Sequence, residues 1–351
     1  MFKMFKLYII NTWVTKLEKF YNKQGAIAFD RIRYTILLAR AKSMLRRSTI
    51  IIIVISLFWA VLASRQIFQR ETPRYLKTVR NSIGMQLKVV EENTQPTLRI
   101  VLPDRPTSDR TLEIIFPEHV TIRPRGNTNA NQIYMWRPGR FGEPPQWRQY
   151  ERILEYEKNF PDKVHMLARA TLEEDGVRFH FRLRNQSKLT YDLIWAPIDP
   201  RLTSEFHDVR LERTYVHHAD GFDLLASETP ERLTMPLNQW LPARYLASYT
   251  WPIPSQKIER REGIMYYNKS RVVDAPFIAT LSQDGRWVVA SFTRNTGNVW
   301  SNPELTCQHV DPQVALAPGE EAILETKLLV VGASLDDVFK MAMNQRDSLK
   351  W

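Results

Sequence analysis

The sequence predicts a mainly-β protein: a large antiparallel β-sandwich that follows a single transmembrane helix. Three observations predict it. Apolar residues recur with a period of two through much of the chain beyond residue 84. Asp-Gly turns join these alternating stretches in pairs. One uncharged run, residues 48–64, stands apart from everything else.

The first 47 residues form a basic arm. Phe2, Phe5, Ile9, Trp13, Leu17, Phe20 and Tyr21 recur at steps of three and four, while Lys3, Lys6, Lys16, Lys19 and Lys23 mostly fall off that stripe. This is the pattern of a helix lying in a membrane interface, aromatic side down and lysines toward the headgroups. Packing of the same stripe against a partner protein would satisfy it equally. Gly25 interrupts the stripe, and Phe29, Ile32, Ile36, Leu37 and Met44 resume it.

The uncharged run reads STIIIIVISLFWAVLAS and is preceded by Arg46 and Arg47. As a helix it spans about 25 Å, close to the roughly 30 Å of a hydrocarbon core. Extension to residue 68 lengthens it, because Arg65 near a helix end can snorkel to the headgroups. The predicted span is 48–68. Cleavage after residues 61–63 is the competing reading, but a 47-residue leader exceeds an ordinary signal-peptide n-region. The formal charge is +11, and most of it sits in the arm. That bias places the N-terminus in the cytoplasm of a bacterial inner membrane and the remainder in the periplasm. Nucleic acid is not expected as a partner, since the basic residues interleave with large apolar ones at helical spacing. Phe2, Phe5, Trp13, Phe20, Arg46, Arg47 and Arg65 form the expected membrane-interface set.

Residues 69–83 are polar, contain Pro73 and read as a linker. The domain is expected over 84–333. Its clearest hairpin is 164–183, where Val164, Met166, Ala168 and Ala170 lead to Asp175-Gly176, and Val177, Phe179, Phe181 and Leu183 return. A second runs through Asp284-Gly285, and a third turn, Pro318-Gly319, precedes a long apolar strand. Asp-Gly supplies the positive φ that tight hairpins need. Helices are expected at 145–159, with Pro at its start, and at 334–351, where Ser334 and Asp337 form a capping pair. Twenty-one prolines and many short strands favour a sandwich over an α/β enzyme. The single cysteine, Cys307, excludes an internal disulfide, so the domain rests on its apolar core.

Chemistry is sparsely signalled. A Gly-rich phosphate loop, a Gly-x-Ser-x-Gly elbow, His-Glu-x-x-His and Cys-x-x-Cys are all missing from the sequence. No catalytic residue, cofactor or metal is assigned. Cys307, His309 and Asp311 share one face if extended, a set able to hold a soft metal, but a lone Cys in a sandwich is more often a small core residue. His217 and His218 would face opposite ways on a strand. Glu173, Glu174, Asp199 and Asp220 are acidic candidates that spacing alone does not pair. Tryptophan beside Asn, His and Arg offers a sugar an apolar face and polar edges. On that ground Trp195, His217, Arg294, Trp300, Asn302, His309 and Asp311 are the candidate ligand-binding residues. Tryptophans are also core fillers and interface anchors.

The segments LARATLEEDGVRFHFRLRNQS, YDLIWAPIDP and DAPFIATLSQDGRWVVASFTRNTGNVWSNPELTCQHVDPQVALAPGEEAILETKLLVVGASLDD resemble uncharacterised bacterial exported proteins built on a galactose-mutarotase-like β-sandwich. In that group a Cys-x-His-x-x-Pro segment follows an aromatic/Asn loop, matched here by Cys307, His309 and Pro312 behind Trp300 and Asn302. The resemblance covers about 166–337 and leaves out the arm and the span. It implies the supersandwich fold and a sugar-type site in which His309 would be an acid, with no partner Glu assignable. Two functions follow as expectations. The first is a membrane-anchored, non-catalytic accessory subunit of a larger membrane complex, bound to the lipid bilayer and to other membrane-protein subunits. The alternative is a periplasmic protein that binds or modifies a glycan.

Overall fold

The computed structural model describes residues 74–91, 95–103, 111–135, 142–225, 246–250, 258–261, 264–268, 273–296, 298–301 and 306–350. The arm, the predicted span and the membrane-interface residues Phe2, Phe5, Trp13, Phe20, Arg46, Arg47 and Arg65 lie outside them. Among the described residues no helix is long and apolar enough to cross a membrane.

The described chain is mainly β, in antiparallel sheets. One sheet orders β1 (Arg74–Arg80), β2 (Gln86–Glu91), β3 (Thr97–Val101), β4 (Thr111–Ile115) and β12 (Asp199–Arg201). The largest runs β14 (Gly221–Leu224), β13 (Thr214–His218), β18 (Phe277–Leu281), β19 (Val288–Thr293), β22 (Glu321–Val331), β10 (Gly176–Asn185), β9 (Val164–Leu172), β8 (Ile153–Asn159) and β7 (Arg148–Tyr150). A third holds β21 (Gln313–Leu316), β11 (Tyr191–Trp195), β5 (Val120–Pro124) and β6 (Asn131–Ile133). The fourth holds β16 (Ile258–Arg261), β17 (Ile264–Asn268), β15 (Leu246–Thr250) and β20 (Asn298–Val299), and its β15–β17 pair is parallel.

The expected hairpins form. In β9–β10 Ala170 faces Phe179 and Ala168 faces Phe181, small against large on the inward side. Gly176 has φ +151°, and a Cβ there would stand 2.0 Å from the Leu328 carbonyl oxygen. Glycine is therefore required where β10 begins alongside β22. In β18–β19 the Asp284 carboxylate accepts from Ser282 Oγ at 2.7 Å and from the Arg286 amide at 3.1 Å, with Gly285 at φ +68°.

The main core is shared by the five-stranded sheet, by β8–β10 and β22, and by β5 and β11. At its centre Phe116 packs against Phe179 and Phe181 with ring centroids 5.0 and 4.9 Å apart. Tyr156 is buried beside them and donates its hydroxyl to the Phe116 carbonyl at 2.6 Å. That bond satisfies the one polar atom such a ring brings into a core. A second apolar cluster lies between β18, β19 and β22 and helix α1 (Leu335–Arg346). Ser334 caps α1, its Oγ accepting from the Asp337 amide at 3.2 Å and donating to the Asp337 carboxylate at 2.6 Å.

Two expectations are corrected. Residues 145–159 form β7 and β8 instead of a helix. Leu154 and Tyr156 alternate inward and pair across to β9, and Glu151 turns the hairpin at φ 39°. Pairing with the next strand of the meander and burial of Leu154 and Tyr156 outweigh the helical propensity of the Arg, Glu and Leu residues. Residues 74–80, polar enough to read as linker, form β1 against β2. Thr78 and Arg80 are exposed while Val79 is buried, so Val79 supplies an inward contact from a strand rich in polar residues.

Candidate functional site

The segment 306–311 runs between β12 and β20. Cys307 bridges to Arg201, and His309 bridges to Trp300, each as an isolated antiparallel pair. The His309 amide donates to the Trp300 carbonyl at 3.0 Å, and the Trp300 amide donates back to the His309 carbonyl at 3.1 Å. Gln308 points the other way. Its amide group donates to Thr280 Oγ1 and to the Val289 carbonyl, both at 3.0 Å, and accepts from Ser291 Oγ at 2.9 Å. Alternation therefore sends Cys307 and His309 to one side while Gln308 locks the segment onto β18 and β19.

On that side the side chains converge. The Trp300 and His309 rings stack, with centroids 3.9 Å apart and planes 2° from parallel. His309 Nδ1 bonds Asp311 Oδ1 at 3.1 Å, and Trp300 Nε1 donates to the other Asp311 oxygen at 3.3 Å. His309 Nε2 faces Asp199 Oδ1 at 3.6 Å, an ion-pair distance too long for a hydrogen bond. Arg201 holds the second Asp199 oxygen at 2.7 Å. Asp199 Oδ1 is buried with no hydrogen-bond partner among the described residues. His309, Asp199, Asp311 and Cys307 are buried, and Arg201 and Trp300 are half-buried.

A second group adjoins them. The Glu118 amide donates to the Pro197 carbonyl at 2.9 Å, setting 118–119 beside the β11–β12 connection. His119 is buried edge-on against Trp195, with centroids 5.1 Å apart, and against Tyr134 at 6.0 Å. Trp195 Nε1 is also buried with no hydrogen-bond partner among the described residues. Tyr134 lines a cavity of about 470 Å³, together with Asn131, Met135, Lys158, Asn159 and Phe160.

Charges follow from this packing. Burial lowers the His119 pKa to about 4, and the positive charge of His309 adds to the shift, so His119 is neutral. Burial also opposes a charge on His309, but Asp311, Cys307 and Asp199 outweigh it and carry its pKa well above the ordinary imidazole value. Glu118 is pushed up by burial and by the neighbouring Asp199 charge. Asp199 is buried too, which alone would raise it, yet His309 and Arg201 hold it below the usual carboxylate range.

Of the sequence candidates, the structure brings together Trp300, His309 and Asp311, and sets Trp195 beside them through His119. His217 lies elsewhere. Alternation along β13 turns it toward α1, where it stacks on Phe339 at 3.9 Å and bonds Asp274 at 2.7 Å. Arg294 is exposed and offers its main-chain carbonyl to Arg346 at 3.1 Å. Asn302 lies outside the described residues. Sequence reasoning missed Glu118, His119 and Arg201, and picked out Asp199 only as an acid and as the polar residue following Trp195 and Pro197. The alternation Trp195, Pro197, Asp199, Arg201 was the available signal for two of them. For Glu118 and His119 the sequence offers none, because they arrive from β5's approach about eighty residues away.

The structure is similar to galactose mutarotase-like proteins. A galactose mutarotase related enzyme from Lactobacillus acidophilus superposes with a TM-score of 0.42 and 11% identity, covering 74% of this chain and 98% of that one. A galactose mutarotase-like protein from Lactobacillus casei gives 0.39 and 10%, covering 73% and 99%. The α-N-acetylgalactosaminidase of Bifidobacterium bifidum, in complex with GalNAc, gives 0.43 and 10%, covering 77% of this chain and 39% of that one. At these identities the likeness is one of fold. No protein-family model matches the sequence, and no curated protein matches it.

Proposed function

We propose that this chain is a membrane-anchored periplasmic protein that binds a carbohydrate at the Trp195–His119–Trp300 cluster. In this reading the sheets make one antiparallel supersandwich head, segment 48–68 anchors it, and the basic arm lies on the cytoplasmic face of the inner membrane.

One observation carries the proposal. The buried Trp195 indole N–H has no acceptor among the described residues, and its ring stands edge-on to a neutral His119. A donor left unmatched in a native interior calls for an explanation. A sugar hydroxyl supplies the acceptor, and indole and phenol faces suit its ring. Tyr134, which packs on His119, lines a neighbouring cavity of about 470 Å³, within the roughly 300–1,000 Å³ typical of small-molecule sites, although Trp195, His119 and Trp300 do not line it.

The test is a glycan array probed with the full-length protein in mild detergent. Retention of one glycan class, lost in Trp195→Ala and kept in His217→Ala, is expected. An array that retains nothing removes this reading and favours the accessory-subunit role, in which the head touches protein.

A further inference from the structure

We infer that Asp199, Cys307 and His309 form a site for one divalent metal ion of the zinc type. The inference concerns the floor of the cluster and does not need the carbohydrate reading to hold.

Their ligand atoms, one per residue, lie within 4.8 Å of one another. Zinc bonds of about 2.0–2.3 Å to N, O and S place tetrahedral donors roughly 3.3–3.8 Å apart. The 3.6 Å between His309 Nε2 and Asp199 Oδ1 already matches. No separation exceeds 4.8 Å, so a contraction of at most about 1 Å completes the set. The donor set is one thiolate, one imidazole and one carboxylate. Magnesium and calcium take oxygen donors, whereas sulfur and nitrogen suit zinc and its neighbours.

The surroundings are those of a prepared site. Asp199 Oδ1 is buried and has no hydrogen-bond partner among the described residues, while Arg201 occupies the other oxygen and fixes which one is presented. Asp311 binds His309 Nδ1 and so directs Nε2 toward Asp199. A carboxylate behind a ligating histidine is the usual outer partner of a metal-bound imidazole, setting ring orientation and tautomer. Trp300 stacks flat on that ring and holds Asp311 from its other oxygen, so the outer partner is itself anchored. The charges balance as well. Once His309 releases its proton to ligate, a thiolate, Asp199 and Asp311 carry three negatives, and a divalent ion with the Arg201 guanidinium offsets them, in a place where uncompensated charge is costly. Three protein ligands leave a fourth position for water or for an oxygen of a bound molecule.

Cobalt(II) serves as the probe. Full-length protein in detergent is stripped with a chelator and titrated with cobalt, read by calorimetry and absorption. One equivalent is expected to bind with a thiolate-to-cobalt charge-transfer band in the near ultraviolet, and zinc should displace it. Cys307→Ser should abolish the band, and Asp199→Asn should abolish tight binding. Asp311→Asn should keep the band but weaken affinity about 10–100-fold, a graded loss that general misfolding would not give. His165→Ala, whose ring pairs with Glu157 on β8, should change nothing. Absence of stoichiometric cobalt, or a band that survives Cys307→Ser, overturns the inference. The titration contains no glycan, so its failure leaves the array result standing, and an empty array leaves the titration standing.

Discussion

Lys327 is the most informative residue to perturb for stability. It is wholly buried on β22, and its ammonium donates to Glu173 and, at 2.6 Å, to Asp175. Each carboxylate has a second partner, Arg178 for Glu173 and Gln345 of α1 for Asp175, both at 2.7 Å. Lys327→Met keeps the aliphatic volume and removes the charge. Breaking a buried pair typically costs about 3–5 kcal/mol. Here both acids are partly exposed and keep a partner, which reduces the expected loss to about 2–3 kcal/mol. For a body of this size that is a drop in Tm of roughly 3–5 °C. Thermal unfolding of the full chain in one detergent at pH 7 measures it. A shift within about 0.5 kcal/mol of wild type would falsify the account of Lys327 as a charge-bearing core residue. Acid gives an independent reading of the same cluster. Burial alone would raise Glu173, Asp175 and Glu325, but hydrogen bonds from Arg178, Lys327 and His180, among others, hold all three below their ordinary values of 4.5, 3.8 and 4.5. Their unfolded forms therefore bind protons first as pH falls. The stability they contribute is complete above about pH 5 and is lost as pH drops through their folded-state values. Wild type should lose Tm steadily below pH 5, and Lys327→Met should lose less over the same range. Parallel curves would show that Lys327 is not what depresses Glu173 and Asp175.

Three further outcomes are expected. Gly176→Ala combines a φ reserved for glycine with a backbone clash, so a loss of about 3 kcal/mol or more should appear in urea unfolding; a near-neutral result would mean that β10 does not approach β22 as closely as described. Phe181→Ala empties the centre of the aromatic cluster and should cost about 3–5 kcal/mol, with an unchanged urea m-value. Ser334→Ala removes the α1 cap at about 1 kcal/mol, and hydrogen exchange should rise first in the amides of 335–338.

What was legible in the sequence is what neighbours decide. The hairpins around Gly176 and Gly285 carry their own turn chemistry and alternation, and Ser334 announces its helix. The β7–β8 hairpin was not legible, because Leu154 and Tyr156 read as a helical face until β9 is there to pair with them. The cluster was half legible. Cys307, His309 and Asp311 share a spacing that puts them on one face wherever the segment is extended. Asp199, Arg201, Glu118 and His119 reach them only through tertiary pairing, and no local pattern records a bridge between Arg201 and Cys307.

The segment carrying Cys307 and His309 is threaded late, and it joins a strand laid down more than a hundred residues earlier. A ribosome has released most of the polypeptide before Asp199 meets its histidine. Asp199 and His309 can therefore meet only once the chain has been made through residue 309, so contacts that need both form late in synthesis or after it.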